Sequence, residues 1–455
     1  MSKMATTIKK VHIVKPAGVT PSGKMYLSES DQASPVTHAP TIYIYRRPAS
    51  NHPFETLVQT LITSLSQTLV DFYPLTGRLR YIPDAGGRLE LECSAEGATL
   101  IEAESDMQID DDLGDFSPSP VIRSLIPSVD YTTKPIEETP VMLAQVTRFG
   151  CGGITLGLAL SHSIVDGQSA VLFINEWCKR ARGVVDPVLP FLDRTILKPR
   201  DGDAVDEENG CVHAEYSPPP LLVGRSDDQE ERRKETAVAK LKLSAEQISE
   251  LKSKANLEND GGRPYTRYEA LAAHLWRCSI KARRHSTFQP TRLRLPVNIS
   301  NRLKPPLPPA FFGNMLVRAA VDITSGELLN SPLGRISSLI REKVSRVDDN
   351  YVRGSLACFA RHPDASWFRV SHSLGCTAGG FLGNPNVNIT SWLGLPLYGA
   401  DFGWGPEDYM GPGAVGFDGL FFVLPSHDED GSVLILTRLQ VECVAEFNKC
   451  FYDDI

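Results

Sequence analysis

Of the ten histidines in this 455-residue chain, His162 is set where a catalytic base would sit. The run GITLGLALSHSIVDG, Gly153 to Gly167, carries an apolar strand straight into a polar turn that holds Ser161, His162 and Asp166. A buried strand ending in histidine and followed by glycine is a way for a scaffold to present a base to a cleft. No other histidine has an aspartate four residues on. On a helix that spacing would put both side chains on one face, but the strand before and Gly167 after favour a loop, in which Asp166 points elsewhere. An aspartate that caps a helix and a histidine that only packs fit these residues equally well.

The remaining chemistry narrows by elimination. A Ser-His-Asp hydrolase would need a nucleophilic serine on a strained elbow, and the chain has no GxSxG. Without a nucleophile of its own, His162 would act directly on an acceptor. Metal binding needs three or four ligands, and neither a CxxC pair nor a second His/Cys/Asp cluster with ligand spacing is present, so no metal is expected. The nine cysteines, an odd number, read as reduced buried thiols. The other conspicuous stretch is NITSWLGLPLYGADFGWG, Asn388 to Gly405, where glycines flank bulky rings as they do in tight turns. Its DFG is not a kinase's, because the glycine-rich loop, the HRD loop and the VAIK strand are missing.

Positioning these stretches takes two lobes. The length exceeds that of one ordinary core, and the boundaries are drawn at 1–195, a crossover linker at 196–235, and 236–455. Residues 201–235 combine charge runs with Pro218, Pro219 and Pro220 and show no apolar period. Before the linker, Phe54, Leu57, Leu61, Leu65, Leu69 and Phe72 recur at helical spacing, and Arg88 to Cys93 alternates like a strand. After it, Ser244 with Gln247 and Thr266 with Glu269 have capping-box spacing and predict two helix starts. Leu293 to Val297, Val387 to Thr390, Leu420 to Leu424 and Val433 to Val441 read as strands, and Glu442 to Phe451 as a final helix. No regular βαβ period, repeat, GxGxxG or Walker sequence is visible. An apolar fraction of 42%, a charged fraction of 22% and a net charge of −8 are those of a globular protein and disfavour nucleic acid as a partner. No run reaches the ~20 apolar residues of a membrane span, and Met1 to Lys10 leads into no apolar signal core, so a cytoplasmic location is expected.

His162-Ser-Ile-Val-Asp166-Gly167 and Asp401-Phe-Gly-Trp-Gly405, in this order and at these depths, resemble the paired motifs of the plant BAHD acyl-CoA-dependent acyltransferases. YPLTGRL at Tyr73 to Leu79, YEALAAHLWR at Tyr268 to Arg277, PPAFFGN at Pro308 to Asn314 and ITSW at Ile389 to Trp392 extend the likeness over nearly the whole chain. Within that family the segments PSGKMYLSESDQ, HAPTIYIYRRP, SHSIVDGQSA and PFLDR look most like spermidine hydroxycinnamoyl transferases, with the shikimate and quinate enzymes second. The resemblance implies a two-domain α/β fold like that of chloramphenicol acetyltransferase, with mixed sheets and a channel between the domains. It also implies a hydroxycinnamoyl-CoA donor, a polyamine acceptor, a monomer, and no permanently bound cofactor.

The resemblance carries over roles for single residues. His162 would be the general base, and Trp392, with Thr390 beside it, would donate to the oxyanion. Asn314 would be a cleft residue. Asp166 would be structural, its carboxylate turned from the histidine to an arginine, with Arg302 the candidate partner and Arg294 the other; Gly167, Asp401, Gly403 and Gly405 would be structural too. A polyamine would need carboxylates, for which Asp348, Asp349, Glu407, Asp408 and Asp418 are available, and the donor ring would need an apolar pocket such as Tyr43 to Tyr45 offers. An acid acceptor would instead call for a cationic side chain. A peptide-synthetase condensation domain fits less well, since Ser161 stands where its first histidine would be. A silent binding protein on the same fold is the non-enzymatic alternative.

Overall fold

The computed structural model describes residues 6–48, 53–200, 214–257, 259, 261–369 and 380–455. Two six-stranded mixed sheets organise it. The first runs Thr6–Val14, Ala98–Ser105, Met142–Phe149, Ile154–Ser161, His38–Tyr45 and Tyr409–Pro412 across the sheet. The second runs Leu316–Thr324, Pro290–Asn298, Val387–Ser391, Leu420–Pro425, Val433–Gln440 and Thr236–Leu243. A small third sheet joins Gly23–Met25, Leu89–Cys93 and Arg78–Tyr81. This is the mixed α/β two-domain fold that the sequence led us to expect.

The strand that leads to His162 lies well inside the first sheet. Every residue from Ile154 to Ser161 is buried, which is why ITLGLALS reads as a continuous apolar run rather than an alternating one: both of its faces are covered. Gly157 is required here, since a Cβ on it would lie 2.2 Å from the Leu125 carbonyl oxygen. The edge strand Tyr409–Pro412 comes from the far end of the chain and pairs antiparallel with His38–Tyr45, Tyr409 opposite Ile44. Helix Phe54–Asp71 buries the apolar stripe read from its spacing, and Trp177 ties the later helix Gly167–Ala181 to it by donating to Ser64 Oγ at 3.0 Å.

In the second lobe both capping boxes form. Ser244 starts helix Ala245–Asn256 and Thr266 starts Arg267–Arg283, each with its reciprocal N3 side chain bonded back. The second of these is the lobe's central helix, with Leu271, Leu275 and Trp276 fully buried, and the closing helix Val441–Asp453 packs on it through Phe451, whose carbonyl meets His274 Nε2 at 2.9 Å.

The expected loose linker differs in its described part. Residues 201–213 of it lie outside the described residues, but Tyr216 is buried against Phe359 and Phe368. Gln229–Arg233 is a short helix whose Glu231 accepts from Gln440 Nε2 at 2.6 Å and Asn384 Nδ2 at 2.8 Å. Single anchoring side chains have no periodicity, so the sequence pattern did not show them. Among the described residues, no helix is long and apolar enough to cross a membrane.

Candidate active site

At the end of the buried strand Ser161 N–H still bonds Val141 O, at 2.8 Å, and His162 N–H bonds Thr37 O, also at 2.8 Å. The chain then turns over the buried residues Ser163, Ile164 and Val165 into helix Gly167–Ala181. Asp166 is the N-cap: Oδ1 accepts from Ser169 N–H and Oδ2 from Met315 N–H, both at 2.9 Å. Burial pushes its carboxyl up, against the pull of those two N–H groups and of His162 nearby.

The expected arginine partner of Asp166 is therefore wrong. Arg302 donates to Val344 O at 2.9 Å and Val347 O at 2.7 Å, near the end of helix Leu333–Ser345, and Arg294 donates to Glu215 O at 2.8 Å. The physical reason is that backbone N–H groups already occupy both carboxylate oxygens, and that Arg302 is spent on two carbonyls at a helix C-terminus, Val344 O and Val347 O.

His162 is partly exposed. Its Nδ1 is buried without a hydrogen-bond partner, and its ring makes no side-chain hydrogen bond among the described residues. One ring nitrogen of a neutral imidazole carries the proton and the other a free lone pair, so this ring can serve as a base, with no carboxylate hydrogen-bonded to it among the described residues. A second histidine stands close by: His38 is paired across the sheet with Ser161. It is spent structurally, with Nε2 on Pro140 O at 2.8 Å and Nδ1 on the Tyr131 hydroxyl, and burial pushes its imidazole down to about 4. The two histidines differ in what their ring nitrogens are tied to, which sequence spacing does not reveal.

Asn314 is not the cleft residue expected. It is fully buried, and its amide hydrogens are spent on Asp31 Oδ1 and on the carbonyl of His162, both at 2.9 Å, leaving none for an oxyanion. Its neighbours hold the same turn: Ser169 Oγ donates to Gly313 O at 2.8 Å and Met315 N–H reaches Asp166. Asp31 and Arg194, which complete this support, were missed as site residues, although both stand in stretches, LSESDQ and PFLDR, noted for family likeness alone.

Trp392 follows strand Val387–Ser391, held by its N–H to Val423 O at 2.8 Å. Its ring is partly exposed and lies 5.1 Å from that of Phe422, and its indole N–H has no partner among the described residues. Thr390 is also partly exposed, beside Phe422 in register. The loop that follows Trp392 closes onto the His162 turn: Leu395 Cδ1 would lie 3.1 Å from a Cβ on Gly167, so glycine at 167 admits the contact.

The DFGWG segment joins this assembly from the far end of the same helix. Asp401 Oδ1 accepts from Gly403 N–H at 2.7 Å and Gly405 N–H at 2.9 Å, and both glycines have positive φ, 104° and 96°. Phe402 meets Trp177 edge-on at 5.0 Å and stacks on Trp404 at 5.4 Å, while Arg182 donates to the Asp401 carbonyl. Helix Gly167–Ala181 thus has the His162 turn at its start and DFGWG at its end.

The five carboxylates considered for a cationic acceptor are all engaged. Asp348 caps helix Asp349–Arg361, and Asp349 pairs with Arg353 at 3.1 Å. Glu407 accepts from Gly399 and Ala400 N–H, Asp408 from Arg46 N–H, and Asp418 from Arg283, Asn384 and Gln440. Tyr43 and Tyr45 are core residues; Tyr45 donates to Ala400 O at 2.6 Å and meets Trp404 edge-on, so its ring braces DFGWG.

Comparison with known proteins places the chain. The Transferase family model matches residues 4–454. Hydroxycinnamoyl-CoA:piscidic acid hydroxycinnamoyltransferase of Actaea racemosa is 45% identical, covering 98% of this chain and 99% of its own. Shikimate O-hydroxycinnamoyltransferase of Nicotiana tabacum is 38% identical over 99% and 100%. Hydroxycinnamoyl-CoA:5-hydroxyanthranilate N-hydroxycinnamoyltransferase of Avena sativa is 36% identical with the same coverage of 99% and 100%. Among solved structures, vinorine synthase superposes with a TM-score of 0.71 at 22% identity, over 97% of this chain and 96% of that one. TRI101 of F. sporotrichioides, complexed with coenzyme A and T-2, gives 0.73 at 20% identity, over 94% and 97%; these two likenesses bear on fold alone. The chain belongs to this transferase family, the acyl-CoA-dependent acyltransferases that its His162 and DFGWG motifs resemble, whose members take acyl-CoA as donor substrate and keep no permanent cofactor.

Proposed function

We propose that this protein transfers a hydroxycinnamoyl group from coenzyme A to the hydroxyl or amine of a carboxylic-acid acceptor. The observation that carries the choice of acceptor is the state of the acidic side chains. Asp348, Asp349, Glu407, Asp408 and Asp418 are each bound to N–H groups or arginines of the chain itself, so all five already serve the chain's own structure, which counts against a polyamine. The acceptors named for the relatives above, piscidic acid, shikimate and 5-hydroxyanthranilate, are acids. The spermidine acceptor suggested by sequence likeness has less support, although an N-acylating relative keeps an amine nucleophile in view.

In the reaction, the neutral imidazole of His162 takes the proton of the acceptor hydroxyl or amine as that atom attacks the thioester carbonyl. Positioned base catalysis of this kind contributes ~10²- to 10⁴-fold. The tetrahedral oxyanion takes a hydrogen bond from the unpartnered Trp392 indole N–H, with the Thr390 hydroxyl beside it. The C–S bond then breaks, and the imidazolium returns its proton to the thiolate. Asp166 keeps the turn in shape and takes no proton. The setting is a cytoplasmic monomer, where the described cysteines, which form no disulfide among themselves, stay reduced.

The test offers p-coumaroyl-, caffeoyl- and feruloyl-CoA with piscidic acid, shikimate and spermidine to the purified protein. Products on an acid and none on spermidine are expected. Amides of spermidine without acid conjugates would reverse the acceptor assignment and leave the donor standing.

A further inference from the structure

The turn carrying His162 is gripped from behind by three buried side chains far apart in sequence. Asp31 lies in the four-residue helix Glu29–Gln32, where its Oδ2 accepts from Ser28 N–H at 2.9 Å and Ser28 Oγ at 2.8 Å. Its Oδ1 accepts from both the backbone N–H and the Nδ2 of Asn314, each at 2.9 Å. Arg194 Nε stands 3.3 Å from Asp31 Oδ2, and both side chains are 0% exposed. The Arg194 guanidinium then donates through Nη2 to Ile164 O at 2.8 Å and to Phe312 O at 3.0 Å, while Asn314 donates to His162 O. Gly313 leaves the guanidinium room, since a Cβ there would come within 2.9 Å of Arg194 Nε.

Two carbonyls of the HSIVD turn, those of residues 162 and 164, are thus fixed by two donors, and one carboxylate stands beside both: it hydrogen-bonds Asn314, and it faces Arg194 as an ion pair in which Nε has no hydrogen-bond partner. A dry ion pair is a poor way to stabilise a fold, because desolvating two charges offsets most of their attraction. What such a pair supplies is direction: a planar guanidinium with fixed donors and an amide with both hydrogens assigned leave the peptide groups on either side of the turn little freedom to rotate. The imidazole is attached to that backbone and its ring has no hydrogen bond of its own to aim it. Its aim therefore depends on the carbonyls being held.

We infer that Asp31, Arg194 and Asn314 are positioning residues for the reaction, holding the His162 turn in the orientation that lets the imidazole reach the acceptor. This rests on His162 being the base. A base displaced by about 1 Å costs on the order of 10²-fold in rate, and the loss falls on the chemical step rather than on donor binding.

The experiment compares Asn314→Ala and the neutral double variant Asp31→Asn/Arg194→Gln with wild type, using p-coumaroyl-CoA and the acceptor that wild type acylates. Competent sites are counted by calorimetric titration with free coenzyme A. Per competent site, kcat is expected to fall about 10- to 100-fold, with KM for acyl-CoA within about twofold of wild type. A kcat within about twofold of wild type in either variant, or a rise in KM alone, would overturn the inference. So would failure of both variants to fold and bind coenzyme A, which would make the network plain core. His162→Ala in the same assay separates the two readings: full activity there removes the base itself, whereas a dead His162→Ala beside active network variants removes only the positioning role.

Discussion

Replacing Trp392 by phenylalanine isolates one hydrogen bond of the proposed transition state. In the ground state the partly exposed indole N–H makes no hydrogen bond among the described residues, so its removal leaves no buried acceptor unpaired. The residue's backbone bond to Val423 O is independent of the side chain, and a phenyl ring can keep the tilted contact with Phe422 at 5.1 Å. The ring is partly exposed, so the lost area costs under about 1 kcal/mol of stability. The transition state is a different matter, because an oxyanion deprived of one positioned donor loses roughly 3 to 4 kcal/mol, or ~10²- to 10³-fold in kcat. Steady-state release of CoA thiol at saturating donor and acceptor, alongside a thermal melt, measures both quantities. A large fall in kcat with little change in KM or melting temperature is expected. A kcat within about threefold of wild type would refute the oxyanion role and return Trp392 to simple packing.

Other perturbations test the surrounding structure. Arg302→Ala should leave kcat unchanged while costing about 1 to 3 kcal/mol in urea unfolding, because it removes two hydrogen bonds, to Val344 O and Val347 O, at the end of a helix; a large loss of kcat at full stability would restore the expected pairing with Asp166. Gly157→Ala should express poorly or melt well below wild type, since its Cβ would sit 2.2 Å from backbone at Leu125; an unchanged melt would contradict the close approach. His274 is buried with its imidazole pushed down from 6.5 to about 4, so between those values the unfolded chain binds the extra proton. Stability therefore rises with pH across that window and is lost as pH falls through it, by up to about 3 kcal/mol for this residue. His274→Gln should flatten the acid limb of a urea-midpoint series, and an unaltered limb would show that other groups set it.

What the sequence made legible was whatever repeats or caps. The stripe from Phe54 to Leu69, the apolar run into His162 and the boxes at Ser244 and Thr266 each state a local rule that the fold obeys. The alternative of a capping aspartate, left open at Asp166, turned out to describe that residue. Harder to read was anything that depends on which distant atoms meet. Asp31, Arg194 and Asn314 lie 163 and 283 positions apart from the first, and nothing about an aspartate in LSESDQ announces an arginine in PFLDR. Arg302 was misassigned for the same reason: an arginine near a buried carboxylate in a family pattern is a fair partner until backbone N–H groups have taken both oxygens. The acidic residues misled in the opposite direction, since a free carboxylate and one that caps a helix look alike in a sequence.

The strand Tyr409–Pro412, laid against His38–Tyr45 at the edge of the first sheet, has a consequence for how the molecule comes into being. As the chain leaves the ribosome, the first lobe can assemble five of its strands, the last ending at Ser161, but not the sixth, so a row of unpaired backbone groups at Thr41 to Ile44 waits until Tyr409 to Pro412 are made. An open strand edge is a template for another chain. Cutting this protein at the middle would therefore yield a first half that seeks a neighbour's strand, and a second half whose Tyr409–Pro412 segment has no sheet to join.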